Sequence, residues 1–207
     1  GRETRQRPVL LLDRENPLPI MLERFDRLGI EDSDMFRVAG GWLSGDVPDP
    51  CSPMVRAWVR SCEPKPLIIV DSLVAFHDGD ENDATQTRRY MAGLRQLTGD
   101  GATILGLHHV GKGESSREYR GSSDIKASID AGYLLSNLSP AKLETVRLRA
   151  FKTRFTADTD VLLHYEAGRF VAETRSAPTC YDTLVELLKL NPAMRAADFE
   201  QLALAKS

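Results

Sequence analysis

Four short, mostly apolar segments alternate with stretches of helical length, and this rhythm constrains the fold of the chain more than any other feature. The segments lie at 9–12, 35–38, 67–70 and 102–107, and helices are predicted at about 18–28, after 53, and at about 83–97. Short apolar runs bounded by turn residues are typical of strands buried on both faces of a parallel sheet. The alternation therefore predicts an α/β fold, a mostly parallel sheet flanked by helices.

The rhythm changes after residue 130. Segments 131–135, 143–151, 161–165 and 169–171 have strand character with no long helix between them. They predict antiparallel strands, joined by hairpins, at the carboxyl side of the sheet. From Cys180 the pattern is helical again and breaks at Asn191-Pro192, as in a helix-turn-helix or winged-helix unit that is cut short. We expect a core over residues 1–175 and a helical appendage over 176–207.

Composition limits the class of protein. The 207 residues are 42% hydrophobic and 28% charged, which suits a globular chain with a substantial core. A net charge of -3 argues against nucleic-acid binding through overall charge but leaves a local basic groove open. We find no bilayer-length apolar run, no signal peptide and no paired cysteine framework among the three cysteines, so a cytoplasmic protein without a membrane partner is expected. The start at Gly1, without a methionine, suggests a fragment.

Carboxylates follow two of the predicted strands. Asp71 ends the run at 67–70, and Glu15 comes shortly after the run at 9–12. The carboxyl ends of parallel strands meet where ligands bind, and a carboxylate there suits a nucleotide-bound Mg²⁺. If the two strands are neighbours, Glu15 could activate a water as a general base. An aspartate that begins a turn and a solvated turn glutamate are the alternatives.

His108 and His109 end the fourth apolar run. Adjacent residues of a strand face opposite sides, so only one of the two can face a site, which disfavours a paired metal site. A polar side chain at this strand end could hydrogen-bond a terminal phosphate and transmit its hydrolysis to the loop that follows. A pair of half-buried structural histidines is the alternative.

The loop that follows is long, polar and bounded by glycines. Its candidate nucleic-acid contacts are Lys112, Arg117, Tyr119 and Arg120. Cations with an aromatic ring between them suit phosphate contact and base stacking. The alternative is a flexible, solvated loop in which two glutamates offset part of the positive charge.

Basic residues also lie along the segment 146–155. Alternation places Arg147 and Arg149 on one exposed face. Lys152 and Arg154 come at the end of the strand, where they could reach the phosphate of a neighbouring subunit. A plain solvated face explains the same residues.

Together and in this order, these segments resemble the RecA-like ATPase core of the RepA-type and DnaB-type hexameric helicases, over roughly residues 8–175. Segment 11–16 looks like the one that carries the catalytic glutamate, Glu15, and 67–71 looks like the Walker B strand with Asp71 on the Mg²⁺ side. Segment 107–112 is similar to the sensor motif, which implies His109 as the γ-phosphate sensor. Segment 120–125 resembles the one after the DNA-facing loop. Lys152 and Arg154 resemble the Lys-x-Arg element, with Arg154 as an arginine finger.

One motif of that family does not occur. The phosphate-binding loop G-x-x-x-x-G-K-[S/T] is found nowhere in the 207 residues, so we expect an amino-terminally truncated chain that binds ATP poorly alone. The resemblance implies ATP and Mg²⁺ as cofactors, single-stranded DNA as a partner, and a ring of identical subunits, a hexamer. A primase or a replication-initiation protein would be a further partner.

The function that the resemblance implies is an ATP-dependent DNA helicase or translocase of a plasmid, phage or mobile element. Two alternatives stay open. One is a RecA-like regulatory or recombination ATPase that does not unwind DNA. The other is a non-catalytic DNA-binding or assembly module.

Overall fold

The computed structural model describes residues 4–31, 33–43, 46–77, 79, 83–109, 123–139, 144–155 and 159–172. Its first sheet consists of β1 (Val9–Asp13), β2 (Phe36–Gly40), β3 (Leu67–Asp71) and β4 (Thr103–Gly106). The strands are all parallel and lie in the order β2-β1-β3-β4. The predicted parallel α/β arrangement is confirmed.

Helices connect these strands, namely α1 (Leu18–Leu28), α2 (Pro53–Ser61) and α3 (Ala84–Gly99). The short α4 (Ser123–Ser128) follows β4. Helix α1 ends at Gly29, whose φ of 63° lies in the left-handed region that glycine adopts without a steric cost. Helix α3 begins after Asp83, whose carboxylate accepts the backbone N–H groups of Thr85 at 2.7 Å and Gln86 at 3.1 Å. That cap satisfies donors which a helix start otherwise leaves unpaired.

The main core lies between one face of the parallel sheet and helices α2 and α3. Alternate strand residues contribute Leu12, Ile68 and Val70, all with 0% exposure. The two helices contribute aliphatic side chains at helical spacing, which are Val55, Val59, Met91, Leu94 and Leu97. The spacing of Tyr90, Met91, Leu94 and Leu97 predicts a buried stripe on α3. Met91, Leu94 and Leu97 are buried together with Thr87, and Tyr90 is partly buried.

Helix α1 packs differently from the prediction. Only Met21 of this helix is buried, and Phe25 contacts Phe36 edge to face, with ring centroids 5.5 Å apart. The spacing of the apolar residues predicts a buried face made of Ile20, Met21, Leu22, Phe25 and Leu28. Leu22 and Leu28 are instead 56% and 62% exposed. The prediction was wrong there because periodicity shows which residues can be buried, not whether another element covers them.

The antiparallel strands form a sheet of their own. They are β5 (Ala131–Asn137), β6 (Thr145–Thr153), β7 (Asp160–Glu166) and β8 (Arg169–Ala172), paired in sequence order. The hairpin-connected strands predicted here are therefore confirmed, but within the described residues they are not hydrogen-bonded to the parallel sheet. The sequence pattern could not show this, because strand character does not specify the pairing partner.

Two predicted features lie outside the described residues. They are the basic loop 110–122 and the helical appendage 176–207. Among the helices that the structure does describe, none combines the length and the apolar character needed to span a membrane.

Candidate active site

The carboxyl ends of β1 and β3 lie side by side. Their parallel register pairs Asp13 with Asp71, and the backbone N–H of Arg14 donates to the carbonyl oxygen of Asp71 at 3.0 Å. The chain then turns at the end of β1, which places Glu15 beside β3. The condition on which a general-base role for Glu15 depended, that the two strands are neighbours, is met.

Asp13 shapes the turn that carries Glu15. Its carboxylate is fully buried, and its Oδ1 atom accepts the backbone N–H groups of Glu15 at 2.8 Å and Asn16 at 2.9 Å. The Oδ2 atom accepts the Asn16 side-chain amide at 2.9 Å. Such an aspartate-centred turn replaces the hydrogen bonds that the strand ladder no longer supplies, and it fixes the backbone under Glu15.

Asn16 joins the two strand ends. Its Nδ2 atom also lies 3.0 Å from Oδ2 of Asp71, while its Oδ1 atom accepts a hydrogen bond from Arg24 at 3.0 Å. Burial raises the pKa of Asp71, and the charges of Asp13 and Glu15 raise it further, whereas the Asn16 hydrogen bond lowers it. The strand ends thus concentrate negative charge around one neutral amide.

This donor set is compatible with Mg²⁺. Within the described part of the chain, no three aspartate, glutamate, histidine or cysteine side chains converge as a complete metal cage. Mg²⁺ at nucleotide sites keeps several waters and takes only one or two carboxylates, together with phosphate oxygens. Asp71, a half-buried carboxylate with excess negative charge beside it, fits that requirement.

Glu15 is held from two sides. Its Oε1 atom accepts a hydrogen bond from the hydroxyl of Ser72, which follows Asp71 through a cis peptide bond. Its Oε2 atom lies 3.2 Å from Nε2 of His109. The Glu15 side chain is 32% exposed and that of His109 is 64% exposed, so both remain accessible from solvent. The structure therefore brings Glu15, Asp71 and His109 to one sheet edge.

His108 takes the other direction. It lines a small, mainly apolar cavity together with Leu73, Tyr90 and Met91, next to α3. Within the described residues, the contact with Glu15 is found for His109, and both histidines lie beyond the end of β4, where strand alternation no longer applies.

Arg14 anchors the same turn from behind. Its guanidinium donates to the carbonyl oxygens of Ala75 at 3.1 Å and Val47 at 3.0 Å, and it lies 4.2 Å from the ring centroid of Phe76. Two hydrogen bonds and a cation–π contact tie the turn to segments that follow β2 and β3. These contacts of Arg14 therefore fix the position of the loop that carries Glu15.

Sequence reasoning gave no role to three residues of this site. Asp13 and Asn16 carried a usable signal, because an Asp-x-x-Asn sequence after an apolar run is typical of a side-chain-stabilised turn. Ser72 carried only its position directly after Asp71. Its contact with Glu15 depends on the pairing of β1 with β3, which the sequence does not state.

Lys152 and Arg154 lie at the end of β6, against the end of α4. The ammonium of Lys152 donates to the carbonyl oxygens of Lys126 and, at 3.1 Å, Ala127. Arg154 donates to Oδ1 of Asp130 at 3.0 Å and to the carbonyl oxygen of Ala127 at 3.2 Å. Desolvation lowers the pKa of Lys152, and the charge of Arg154 lowers it further.

The two groups of candidate residues do not meet within the described chain. None of the hydrogen bonds or ion pairs found there joins Lys152 or Arg154 to Glu15, Asp71 or His109. The other candidates, Lys112, Arg117, Tyr119 and Arg120, lie outside the described residues.

Comparisons with known proteins agree with this architecture. The fold is similar to that of a solved structure described as the ATPase domain of G40P, with a TM-score of 0.60 and 14% sequence identity. The match covers 80% of this chain and 74% of that one. The flanked parallel sheet and the additional antiparallel sheet thus form a RecA-like α/β fold.

The sequence comparison is more specific. Residues 1–115 match the AAA domain family designated AAA_25. This match takes in more than half of the 207 residues. The chain belongs to the AAA domain family, a family of ATPases.

Proposed function

We propose that this chain is the catalytic core of an ATP-dependent DNA helicase or translocase that works as a ring of identical subunits, a hexamer. The observation that carries the proposal is the convergence of Glu15, Asp71, Ser72 and His109 at one edge of the sheet. The order of the sequence motifs, which resembles the RepA-type and DnaB-type helicases, supports DNA unwinding over other uses of ATP.

The proposed reaction is ATP hydrolysis. A water oxygen forms a bond to the γ-phosphorus, the bond from that phosphorus to the β–γ bridging oxygen breaks, and ADP leaves with the electron pair. Glu15 accepts the proton of the attacking water, while Ser72 and the Asp13 turn orient its carboxylate. Asp71 would hold Mg²⁺, which neutralises developing phosphate charge.

His109 is the proposed sensor of the γ-phosphate. It lies within hydrogen-bond distance of the proposed general base and just before the loop 110–122. A side chain that exchanges a partner on Glu15 for one on the terminal phosphate can report hydrolysis to the residues after it. The sensor role therefore belongs to the same edge of the sheet as the base.

Lys152 and Arg154 are proposed to complete the site of a neighbouring subunit. In their own chain they donate to Ala127 and Asp130, and they are the cations that follow the sensor segment in the motif order. An arginine supplied in trans stabilises the charge of a phosphoryl-transfer transition state. A ring closes when each subunit presents this end to the next subunit's sheet edge.

The phosphate-binding loop of this site is proposed to come from outside these 207 residues. No G-x-x-x-x-G-K-[S/T] sequence occurs within them. The outer strands β4 and β5 both carry exposed apolar side chains, with Leu105 at 48%, Tyr133 at 43% and Leu135 at 58%. Such surfaces are suited to covering by a further segment.

The partners follow from the same proposal. Lys112, Arg117, Tyr119 and Arg120 would bind single-stranded DNA through phosphate contacts and base stacking. A primase or a replication-initiation protein would be a further partner. The proposed setting is the cytoplasm, in the replication of a plasmid, phage or mobile element.

The test is a pair of assays on the full-length protein, ATP hydrolysis with and without single-stranded DNA and displacement of an annealed strand. DNA-stimulated hydrolysis with displacement is expected, and Glu15→Gln should remove both. Glu23→Gln on α1, a carboxylate outside the site that pairs with Arg27, is the matched control and should retain both.

Two results would overturn the proposal. Hydrolysis without strand displacement would favour a regulatory or recombination ATPase. Absence of hydrolysis in the wild-type protein would favour a non-catalytic DNA-binding or assembly module.

A further inference from the structure

Asp130 lies between α4 and β5, and arginines from two other elements reach its carboxylate. Arg154 of the segment after β6 donates to Oδ1 at 3.0 Å, and Arg95 of α3 lies 3.4 Å from Oδ2. The backbone N–H of Arg154 also donates to the carbonyl oxygen of Asp130 at 2.9 Å. Asp130 therefore holds Arg154 through both its main chain and its side chain.

The contacts of Arg154 occupy only part of its guanidinium. Both terminal nitrogens are engaged, one with Asp130 and the other with the carbonyl oxygen of Ala127 at 3.2 Å. Within the described residues no partner is found for its Nε atom, and the side chain is 44% exposed. Because the guanidinium is planar and rigid, fixing these donors fixes the direction of the remaining ones.

Like charges surround this contact. The charges of Arg154, Arg95 and Lys126 all act on Lys152, and Arg95 and Arg154 share the Asp130 carboxylate. Without the carboxylate, repulsion between the cations would favour conformations of Arg154 that point away from the group. Asp130 thus supplies both geometry and charge.

We propose that Asp130 is a positioning residue for Arg154, holding its guanidinium ready for the nucleotide of the adjacent subunit. This inference rests on the proposed function, in which Arg154 acts in trans. Pre-organising the guanidinium means that less side-chain freedom is lost when the phosphate is contacted. Asp130 itself does not touch the reacting atoms.

The test compares Asp130→Asn with a matched control in the full-length protein. Asp160 is 39% exposed, against 43% for Asp130, and it binds Arg147 of the same sheet at 2.7 Å. Asp160→Asn therefore removes a similar arginine–aspartate pair at another place in the same sheet. Thermal unfolding of both variants measures any general effect on the fold.

In DNA-stimulated ATP hydrolysis, Asp130→Asn should lower kcat about tenfold and leave the KM for ATP within about twofold, because the lost orientation acts on the transition state. Asp160→Asn should behave as the wild type. Asp130→Glu, which keeps the charge, should recover most of the lost kcat.

A double variant separates positioning from a general structural effect. If Asp130 acts through Arg154, then Asp130→Asn adds no more than about a twofold loss in a protein that already carries Arg154→Ala. A full further loss in that background would overturn the inference, and so would a wild-type kcat for Asp130→Asn.

The failure of the proposed function gives a different pattern. If Arg154→Ala itself keeps the wild-type kcat, Arg154 has no part in hydrolysis, and the trans role falls together with this inference. If Arg154→Ala loses activity while Asp130→Asn does not, the trans role stands and only the positioning role is refuted.

Discussion

The candidate residues at the edge of the parallel sheet and those at the end of the antiparallel sheet differ in charge and in the groups that they contact. At the first, residues far apart in sequence converge, and Glu15 contacts both Ser72 and His109. At the second, the side chains of Lys152 and Arg154 donate to a backbone carbonyl oxygen at the end of α4. One region gathers carboxylates, and the other gathers cations.

This difference indicates that the two regions contribute different parts of a functional site. The carboxylate site has excess negative charge, which the raised pKa of Asp71 reflects, since Asp13 and Glu15 add to the effect of burial and the charge of Arg24 offsets it only in part. Around Lys152 and Arg154 the cations outnumber the one carboxylate, that of Asp130, so this region has excess positive charge. Two such surfaces on one chain are complementary between copies of the chain, which is the arrangement that the proposed ring requires.

The two sheets also differ in packing. The parallel sheet contributes Leu12, Ile68 and Val70 to a continuous core, whereas Val146 is the buried hydrophobic residue of the antiparallel sheet within the described chain. The catalytic candidates therefore lie on the well-packed half. The cationic candidates lie on the half with fewer buried contacts, where movement costs less.

The largest expected effect is on the converging edge. His109→Ala in the full-length protein should lower kcat for ATP hydrolysis by at least about a hundredfold while ATP affinity stays within about twofold, because the proposed sensor acts after binding. Steady-state kinetics and nucleotide titration measure the two. His164→Ala on β7, where the ring contacts Thr145, is the control outside the site and should keep wild-type kinetics. Wild-type turnover in His109→Ala would remove this residue from the mechanism.

Core truncation tests the packing difference. Ile68→Ala should lower the free energy of unfolding by about 3 kcal/mol, since the residue has 0% exposure and its loss leaves a cavity. Leu135→Ala on β5, which is 58% exposed, should change it by no more than about 0.5 kcal/mol. Urea unfolding of the two variants, made in the 207-residue chain without any further segment, makes the comparison. Equal losses would mean that this chain's own residues bury Leu135.

Removing one support of Glu15 should have an intermediate effect. Ser72→Ala deletes the hydroxyl that donates to Oε1, and kcat should fall about tenfold with little change in KM, because the base is then less well oriented. The hydroxyl is restored in Ser72→Thr, which should retain more activity than Ser72→Ala. An undiminished kcat in Ser72→Ala would show that His109 and the Asp13 turn suffice.

The smallest expected effect is a difference in reactivity between two cysteines, Cys51 and Cys62. Burial, together with the charge of Asp49 and a hydrogen bond to it, raises the pKa of the Cys51 thiol to about 12. Burial also raises the pKa of Cys62, at the end of α2, but the charges of Arg37 and Lys65 oppose this rise. Since the thiolate is the reactive form, Cys62 should be alkylated faster than Cys51 at pH 8, as peptide mass spectrometry can follow. Faster labelling of Cys51 would mean that this part of the core opens readily.

Much of the fold could be predicted from the sequence, because local rules apply to it. Helix α1 has the predicted bounds, 18–28, since Gly29 supplies the left-handed stop. Strand β3 extends one residue past the predicted run at 67–70, because Asp71 still pairs with Asp13. What covers α1, and whether the two sheets join, depends on contacts between distant segments that no local pattern encodes.

The candidate site could be predicted in part for the same reason. The motif order pointed to Glu15, Asp71 and His109, which the structure places together at one sheet edge. The sequence around Asp13 and Asn16 is typical of a side-chain-stabilised turn, but the hydrogen bond from Asn16 to Asp71 depends on the pairing of distant strands. The partners of Arg154, Asp130 and Ala127, depend on the approach of β6 to α4, which the sequence does not reveal.

The central claim is that one active site is divided between two copies of this chain. Its most direct test is subunit mixing with Glu15→Gln and Arg154→Ala in the full-length protein, each of which should retain only a small residual activity alone. In an equal mixture, about a quarter of the interfaces join an intact Glu15 to an intact Arg154, so about a quarter of the wild-type ATP hydrolysis should return. A mixture that stays as inactive as its components would contradict the divided site.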